Sequence, residues 1–379
     1  MDTTENKHLG ALDGLRFVAF LMVFFFHVSA AAEYGRLLMF QKQGWVGVEV
    51  FFAISSFLLF SLFEQEHGKI GTIRISQFYV RRLLRIYPLM MIFSIVMLAV
   101  YGTWGMGSFG WILSLASFVG NYVYWFPEKA LSVPNTGHLW SLPYEFQVYA
   151  ILPLLFLTYR AVGRRAFVMA LLCALPICLI ARAALVMSGL SIQSIYMTPI
   201  LRPESTIAGI LMAIGVTRGA PTWVAILLLL ASTIGLLALP DMHRPVGTIF
   251  AYVTAALFSG ALLHTALYSG IFARLLSWPP IAYLGRISFG LYIFHIWAFI
   301  EGMTLLRMTA IPENYGTRCL AGLTLCVATA TASYYLLERP ILALKPRAYG
   351  TRVTAGSAST AKHIASAVGS AAVRVFQRS

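Results

Sequence analysis

Two ionisable side chains interrupt the first apolar run of the chain, "GLRFVAFLMVFFFHVSAA", which covers residues 14–31. Arg16 and His27 are eleven positions apart. On an α-helix this spacing is three turns plus about 20°, so the two side chains share one face, about 16 Å apart along the axis. Imidazole exchanges protons near neutral pH, and guanidinium groups bind phosphates. The pair suggests a general base and an anion site at different depths; the alternatives are a packing histidine and an interfacial arginine.

A second group of basic residues lies in "FYVRRLLRIYPLM", which contains Arg81, Arg82 and Arg85. Arg82 and Arg85 are at positions i and i+3, so they lie on one face of a helix. Such a pair suits the phosphate groups of a donor molecule. The alternative is that these arginines only set the orientation of the chain in a membrane, because basic residues gather at the cytoplasmic ends of spans.

Further polar residues lie within or beside other apolar runs, where ionisable groups are costly and are functional candidates for that reason. We expect a carboxylate, either Glu49 or Glu145, to orient His27 and increase its basicity. The remaining residues are candidates for substrate binding, although each taken singly could be an interfacial anchor. They are His138, Arg202, Glu204 and His295.

Composition indicates a polytopic all-α membrane protein. Of 379 residues, 59% are hydrophobic and 11% are charged, against about 25% charged in soluble proteins. Continuous apolar runs favour helices over an outer-membrane barrel, which would need alternation. The net charge of +14 is concentrated in short loops and the tail, so we expect a membrane partner and no nucleic acid. The four cysteines lie in apolar runs, and no Cys/His spacing predicts a metal.

The apolar runs predict about ten spans of roughly 20 residues each. The predicted spans are 12–31, 45–63, 86–102, 139–159, 166–187, 200–217, 222–239, 247–268, 287–307 and 318–337. Basic residues are concentrated in 64–85, 160–165 and the tail. The positive-inside rule then predicts that both termini are cytoplasmic and that 109–125 is interfacial or re-entrant rather than an eleventh span. We divide the chain into a membrane domain, 9–341, and a basic Ala/Ser-rich cytoplasmic tail, 342–379.

Several stretches in this order resemble the acyltransferase 3 family of integral membrane acyltransferases. They are "LDGLRFVAFLMVFFFHV", "GWVGVEVFFAISSFLLF", "FYVRRLLRIYPLMM", "HLWSLPYEFQVYAILPLL", "RPESTIAGILMA", "ISFGLYIFHIW" and "LLERPIL". The family's Arg–ten residues–His motif is matched by Arg16 and His27, and its Arg–two residues–Arg motif by Arg82 and Arg85. Glu49 stands where the family usually has aspartate, and Ser56 stands where it usually has glycine.

The resemblance implies transfer of an acyl group, commonly acetyl, from an acyl-CoA donor to a hydroxyl group of a glycan or lipid-linked sugar. It implies that Arg16, Arg81, Arg82 and Arg85 bind the donor and that His27 acts as the base, in a stand-alone form of the family located in the cytoplasmic (inner) membrane. Direct transfer and an acyl-histidine intermediate both fit. A multi-span transporter or exporter remains an alternative. The acceptor, the acyl length and the oligomeric state stay open.

Overall fold

The computed structural model describes residues 3–28, 42–126, 133–240 and 242–344, and these residues contain helices and no strand. The first three helices are long and apolar: α1 is Thr3–His27, α2 is Val46–Ile70 and α3 is Ile75–Tyr101. Gly71 directly follows α2. It has a positive φ of 72°, and its N–H donates to the carbonyl of His67. Glycine adopts this left-handed conformation without a steric penalty, so the chain turns sharply there into α3.

The segment predicted to be interfacial or re-entrant is broken into short pieces. Helix α4, Met106–Ala116, is followed by a 3-10 helix, Gly120–Trp125. An eleven-residue helix is about 16 Å long, half the thickness of the hydrocarbon core. The pieces therefore agree with the prediction that 109–125 is not a continuous span.

The remaining helices follow a second 3-10 helix, Gly137–Trp140. They are α5 (Ser141–Val162), α6 (Arg164–Met187), α7 (Ile192–Tyr196), α8 (Glu204–Ala213), α9 (Thr222–Ala238), α10 (Pro245–Tyr268), α11 (Gly270–Leu276), α12 (Pro279–Arg286), α13 (Ser288–Arg307) and α14 (Tyr315–Ser333). After α14 the chain continues through a π-helical turn, Tyr334–Glu338, into α15, Arg339–Ala343. The short helices α11 and α12 lie between the predicted spans 247–268 and 287–307, where the apolar runs predict no helix.

Seven helices in the described ranges are long and apolar enough to cross a membrane. They are Gly10–His27, Val46–Ile70, Ile75–Tyr101, Arg164–Met187, Pro245–Tyr268, Ser288–Arg307 and Tyr315–Ala343. The other three predicted spans correspond to α5, to α8 and to α9; α8 and α9 are apolar but shorter. The chain is thus a polytopic all-α membrane protein, while a count of ten spans stays a prediction. Residues 29–31 of the first predicted span and 345–379 of the predicted tail lie outside the described residues.

Small residues let α2 approach its neighbours closely. A methyl group at Gly47 would lie 2.3 Å from the carbonyl oxygen of Ala19 on α1, and one at Gly209 on α8 would lie 2.3 Å from that of Ala53. The methyl group at Gly209 would also lie 3.0 Å from the Cβ of Ser56. A glycine at position 56 would permit a close approach of the two helices. Here Gly209 on the facing helix α8 permits it instead.

Candidate functional site

Three histidines from distant parts of the sequence meet at the C-terminal end of α1. His27 is the last residue of α1, His295 lies inside α13, and His138 lies in the 3-10 helix Gly137–Trp140. His295 Nε2 is 3.1 Å from His27 Nδ1. The ring of His138 packs edge-on against that of His295, with ring centres 4.7 Å apart. The structure therefore brings together three residues that the sequence analysis proposed separately.

One ring nitrogen of each histidine in this cluster lies within hydrogen-bond distance of a backbone carbonyl oxygen. His27 Nδ1 is 3.0 Å from the oxygen of Val23, and His295 Nδ1 is 2.6 Å from that of Tyr292. His138 Nε2 is 3.1 Å from the oxygen of Ile293. His138 and His295 are buried and line neither of the two cavities described below. Direct substrate binding by these two histidines stays a prediction.

Three of the four predicted donor-binding arginines line one cavity of about 280 Å³. These are Arg16 of α1 and the pair Arg82 and Arg85 of α3. Arg16 also donates to Asp13, at 3.2 Å. Arg81, one residue away from Arg82, is absent from the cavity wall. On a helix, adjacent residues point in directions 100° apart, so the i, i+3 pair Arg82 and Arg85 faces the cavity and Arg81 does not. The role of Arg81 in donor binding stays a prediction.

Glu145 lies in the wall of this arginine-lined cavity, away from the histidines. Its Oε1 accepts a hydrogen bond from Ser55 at 2.8 Å and another from Tyr149. Glu49 accepts instead from Arg202, and both side chains are almost fully buried. Each carboxylate thus has other partners, and the ring nitrogen that lies beside His27 belongs to His295. That Glu49 or Glu145 orients His27 stays a prediction.

A second cavity, of about 180 Å³, contains His27. Its walls include the aromatic rings of Trp45, Trp140 and Tyr196. Two residues, Val48 and Tyr292, line both cavities. These two residues thus form a partition between the arginine-lined cavity and the His27 cavity.

The Tyr292 side chain is tied to the polar residues around this partition. Its hydroxyl donates to the carbonyl of His138 at 2.9 Å and lies 2.5 Å from the hydroxyl of Ser141. Ser141 also lines the arginine-lined cavity. Hydroxyl groups are therefore present at the point where a molecule in the first cavity would come closest to His27.

Two buried ion pairs lie outside both cavities. Arg202 pairs with Glu49, and Arg182 Nη2 donates to Glu204 Oε1 at 2.7 Å. Aromatic rings enclose the Arg202 guanidinium, with the centre of Tyr196 at 4.2 Å. Arg202 and Glu204 are both buried, paired with protein charges and absent from the walls of these two cavities. Their role in substrate binding stays a prediction.

Arg182 is a residue that the sequence analysis missed. It lies in the C-terminal part of the apolar helix α6, is fully buried, and also donates to the carbonyl oxygens of Leu201 and Ile249. The signal that would have found it is the one used for Arg16, a single arginine within a long apolar run. Its partner Glu204 was singled out, but the pairing joins residues on two different helices.

The donor set for a metal ion is poor. Within the described ranges, no group of three or more His, Cys, Asp or Glu residues could hold a metal ion. The histidine cluster directs its nitrogens toward carbonyl oxygens and toward one another.

This fold and site define a class of protein: a polytopic helical membrane protein with arginines and a histidine in adjoining cavities. Residues 9–338 match the family described as "Acyltransferase domain", and the chain belongs to that family. This confirms the resemblance inferred from the motifs.

Similar proteins carry O-acetyltransferase names. The chain is 25% identical over 384 aligned residues to "Putative peptidoglycan O-acetyltransferase YrhL" of Bacillus subtilis (strain 168), covering 93% of this chain and 57% of that protein. It is 22% identical over 367 residues to "Peptidoglycan O-acetyltransferase OatA" of Listeria monocytogenes, covering 89% of this chain and 56% of that protein. The chain thus spans little more than half the length of these relatives. No solved structure matches it significantly.

Proposed function

We propose that the protein is a membrane O-acyltransferase that moves an acetyl group from acetyl-CoA to a hydroxyl group of an extracytoplasmic or membrane-associated glycan. The observation that carries this proposal is the meeting of two cavities at Val48 and Tyr292, one lined by arginines and the other by His27. Two similar proteins have names that specify peptidoglycan, so peptidoglycan is the first acceptor to test. We assign this activity to the cytoplasmic membrane.

In this proposal the acyl-CoA donor enters the arginine-lined cavity from the cytoplasmic side. Arg16, Arg82 and Arg85 bind its phosphate groups through charge-assisted hydrogen bonds. The cavity, at about 280 Å³, is slightly smaller than the usual ligand sites, which start at about 300 Å³. We therefore infer that it holds the narrow acyl-pantetheine arm, with the thioester directed toward Tyr292.

The acceptor enters the second cavity, whose aromatic walls suit a sugar ring. The His27 imidazole takes the proton of an acceptor hydroxyl, and the oxygen attacks the thioester carbonyl. The new ester C–O bond forms, the thioester C–S bond breaks, and the proton held by His27 passes to the departing CoA thiolate. The transfer is direct, so acetyl is lost from CoA and gained by the glycan in equal amounts.

The first test uses purified protein, acetyl-CoA labelled in the acetyl group, and soluble peptidoglycan fragments. We expect the wild-type protein to produce free CoA and labelled glycan in equal amounts. Because general-base catalysis contributes about 100-fold or more, His27→Ala should lower the rate by at least that factor. A correctly inserted His27→Ala protein with wild-type activity would contradict the proposal. An intact thioester with the wild-type protein would favour a transporter instead.

The second test compares three single substitutions in one turn of α3. Arg82→Gln and Arg85→Gln each remove a cavity arginine, and hydrogen bonds to charged groups predict a rise in the KM for acetyl-CoA of about 10- to 100-fold. Arg81→Gln removes the same charge from the same turn without touching the cavity, so its KM should stay at the wild-type value. If all three variants lose activity together through reversed membrane orientation, these arginines only set topology.

A further inference from the structure

We propose that His295 is a positioning residue that fixes the tautomer and the ring orientation of His27. The proposal rests on the function proposed above, in which His27 is the base. It gives His295 a specific role in place of the substrate contact that its sequence suggested. Backbone carbonyl oxygens near the two rings can only accept hydrogen bonds, and this decides which nitrogen of each ring carries a hydrogen.

The first step concerns His295 itself. Its Nδ1 is 2.6 Å from the carbonyl oxygen of Tyr292, and a carbonyl oxygen can only accept. Nδ1 must therefore carry the hydrogen. In a neutral imidazole the other nitrogen then has a lone pair, so His295 Nε2 is an acceptor. His295 is about 1% exposed, and a neutral ring is the form that such burial favours.

Because His295 Nε2 is an acceptor, it determines which nitrogen of His27 carries a hydrogen. The Nδ1 of His27 faces two atoms, His295 Nε2 at 3.1 Å and the oxygen of Val23 at 3.0 Å. Since both are acceptors, Nδ1 of His27 carries the hydrogen and shares it between them. The lone pair of neutral His27 is then on Nε2, and His27 lines the second cavity. This is the tautomer that a base acting on a hydroxyl in that cavity requires.

The third step concerns the charged state that forms during transfer. When His27 Nε2 takes a proton, the ring becomes positive, and the two acceptors on Nδ1–H stabilise it. The titratable groups facing His295 are His27 from α1, His138 from the 3-10 helix, and Tyr292 from its own helix. A neutral imidazole thus occupies the position in which other enzymes use a carboxylate, and it avoids an unpaired negative charge in the membrane interior.

Two substitutions separate the hydrogen-bonding roles of the two His295 nitrogens. His295→Gln can bring an amide oxygen to the position of Nε2 and so keep the acceptor for His27. His295→Asn keeps a donor near the Tyr292 carbonyl but is too short to reach His27. His264→Asn on α10 is a matched control, because His264 is a buried histidine that packs on Tyr268 and lines neither cavity.

The experiment measures kcat and KM for acetyl-CoA with peptidoglycan fragments as acceptor. One lost hydrogen bond to a charged ring predicts a fall in kcat of about 10- to 100-fold for His295→Asn. Its KM should stay within about threefold of wild type, since the donor site is intact. His295→Gln should recover most of kcat, and His264→Asn should match the wild type. Wild-type kcat for His295→Asn, or equal losses for the Asn and Gln variants, would overturn the proposal.

A measurement on the unmodified protein guards against variants that fail to fold. Nitrogen NMR of histidine-labelled protein should give a protonated Nδ1 and an unprotonated Nε2 for His27, with a nitrogen–nitrogen coupling across the hydrogen bond to His295. An Nε2-protonated His27, or the absence of this coupling, would overturn the positioning role. His27→Ala provides the assignment and separates the two proposals: full activity in His27→Ala refutes the base itself, whereas inactivity there leaves the role of His295 to be decided by the tests above.

Discussion

At the scale of single residues, the two buried arginines Arg182 and Arg202 are each paired with a carboxylate. Arg182 donates to Glu204 and to two carbonyl oxygens, and Arg202 is paired with Glu49 among aromatic rings. A guanidinium in a low-dielectric interior is tolerated only when it is paired in this way. The Arg202–Glu49 pair supports the wall of the His27 cavity, because Tyr196 both packs on Arg202 and lines that cavity.

Breaking one buried pair should therefore be costly. Arg182→Gln leaves Glu204 charged and without its partner, and we expect the free energy of unfolding to fall by about 3–5 kcal/mol. Adding Glu204→Gln should restore part of the loss, which a double-mutant cycle would measure. Denaturation in mild detergent, followed by tryptophan fluorescence, measures both effects. Additive losses would show that the two charges are not coupled.

An exposed pair provides the control for this experiment. Arg307 donates to Glu313 at 3.2 Å in the loop before α14. This hydrogen bond lowers the pKa of Glu313, but solvent screens exposed pairs. Arg307→Gln should leave the unfolding transition unchanged. A loss as large as that of Arg182→Gln would mean that burial does not explain the difference.

The residues around the site divide into those that sequence could predict and those that it could not. Arg82 and Arg85 could be predicted to share a site because they are neighbours on one helix face. The pairing of Glu49 with Arg202 could not, because it depends on how α2 packs near residues 153 positions away. The same holds for the contact between His27 and His295, which lie 268 positions apart in the sequence; the sequence analysis expected a carboxylate beside His27 instead.

At the scale of helices, the short helix α8 is held against α2 by a close backbone contact at Gly209. The methyl group of an alanine there would lie 2.3 Å from the Ala53 carbonyl oxygen and 3.0 Å from the Phe57 nitrogen. Backbone atoms cannot move aside as a flexible side chain can. Helix α8 begins with Glu204, so a shift of α8 would also disturb the buried ion pairs.

Gly209→Ala should accordingly lower the free energy of unfolding by about 1–3 kcal/mol, the usual cost of overpacking. Gly68→Ala on α2 is the matched control, because a methyl group there has nothing within 4 Å. It should be neutral or slightly stabilising, since alanine favours the helix over glycine. Thermal unfolding in detergent compares the two variants. Equal stabilities would contradict the close contact between α2 and α8.

Sequence predicted the helices better than it predicted their limits. Apolar runs predicted α2 and α3, but both extend through charged residues beyond the apolar part, to Ile70 and from Ile75. Hydropathy detects only the part of a helix that would lie in lipid. The predicted span at 200–217 contains only the ten-residue helix α8, because the turn Pro199–Leu201 and the tertiary contacts of Glu204 are invisible to an apolar average.

At the scale of the whole molecule, the two cavities have different roles in the proposed reaction: one binds the donor and the other binds the acceptor. Arginines surround one, His27 lies in the other, and Val48 and Tyr292 separate them. With the predicted orientation, the arginine-lined cavity opens toward the cytoplasm and the His27 cavity toward the outer face. A donor from one side could then acylate an acceptor on the other without either molecule crossing the membrane.

Transfer across oriented membrane vesicles tests this account most directly. Labelled acetyl-CoA, which does not cross membranes, is added outside either inside-out or right-side-out vesicles that contain the protein and trapped peptidoglycan fragments. The account predicts labelled glycan in the inside-out vesicles, where Arg82 and Arg85 face the added donor, and none in right-side-out vesicles or with His27→Ala. Equal labelling in the two orientations, or labelling that persists in His27→Ala, would contradict it.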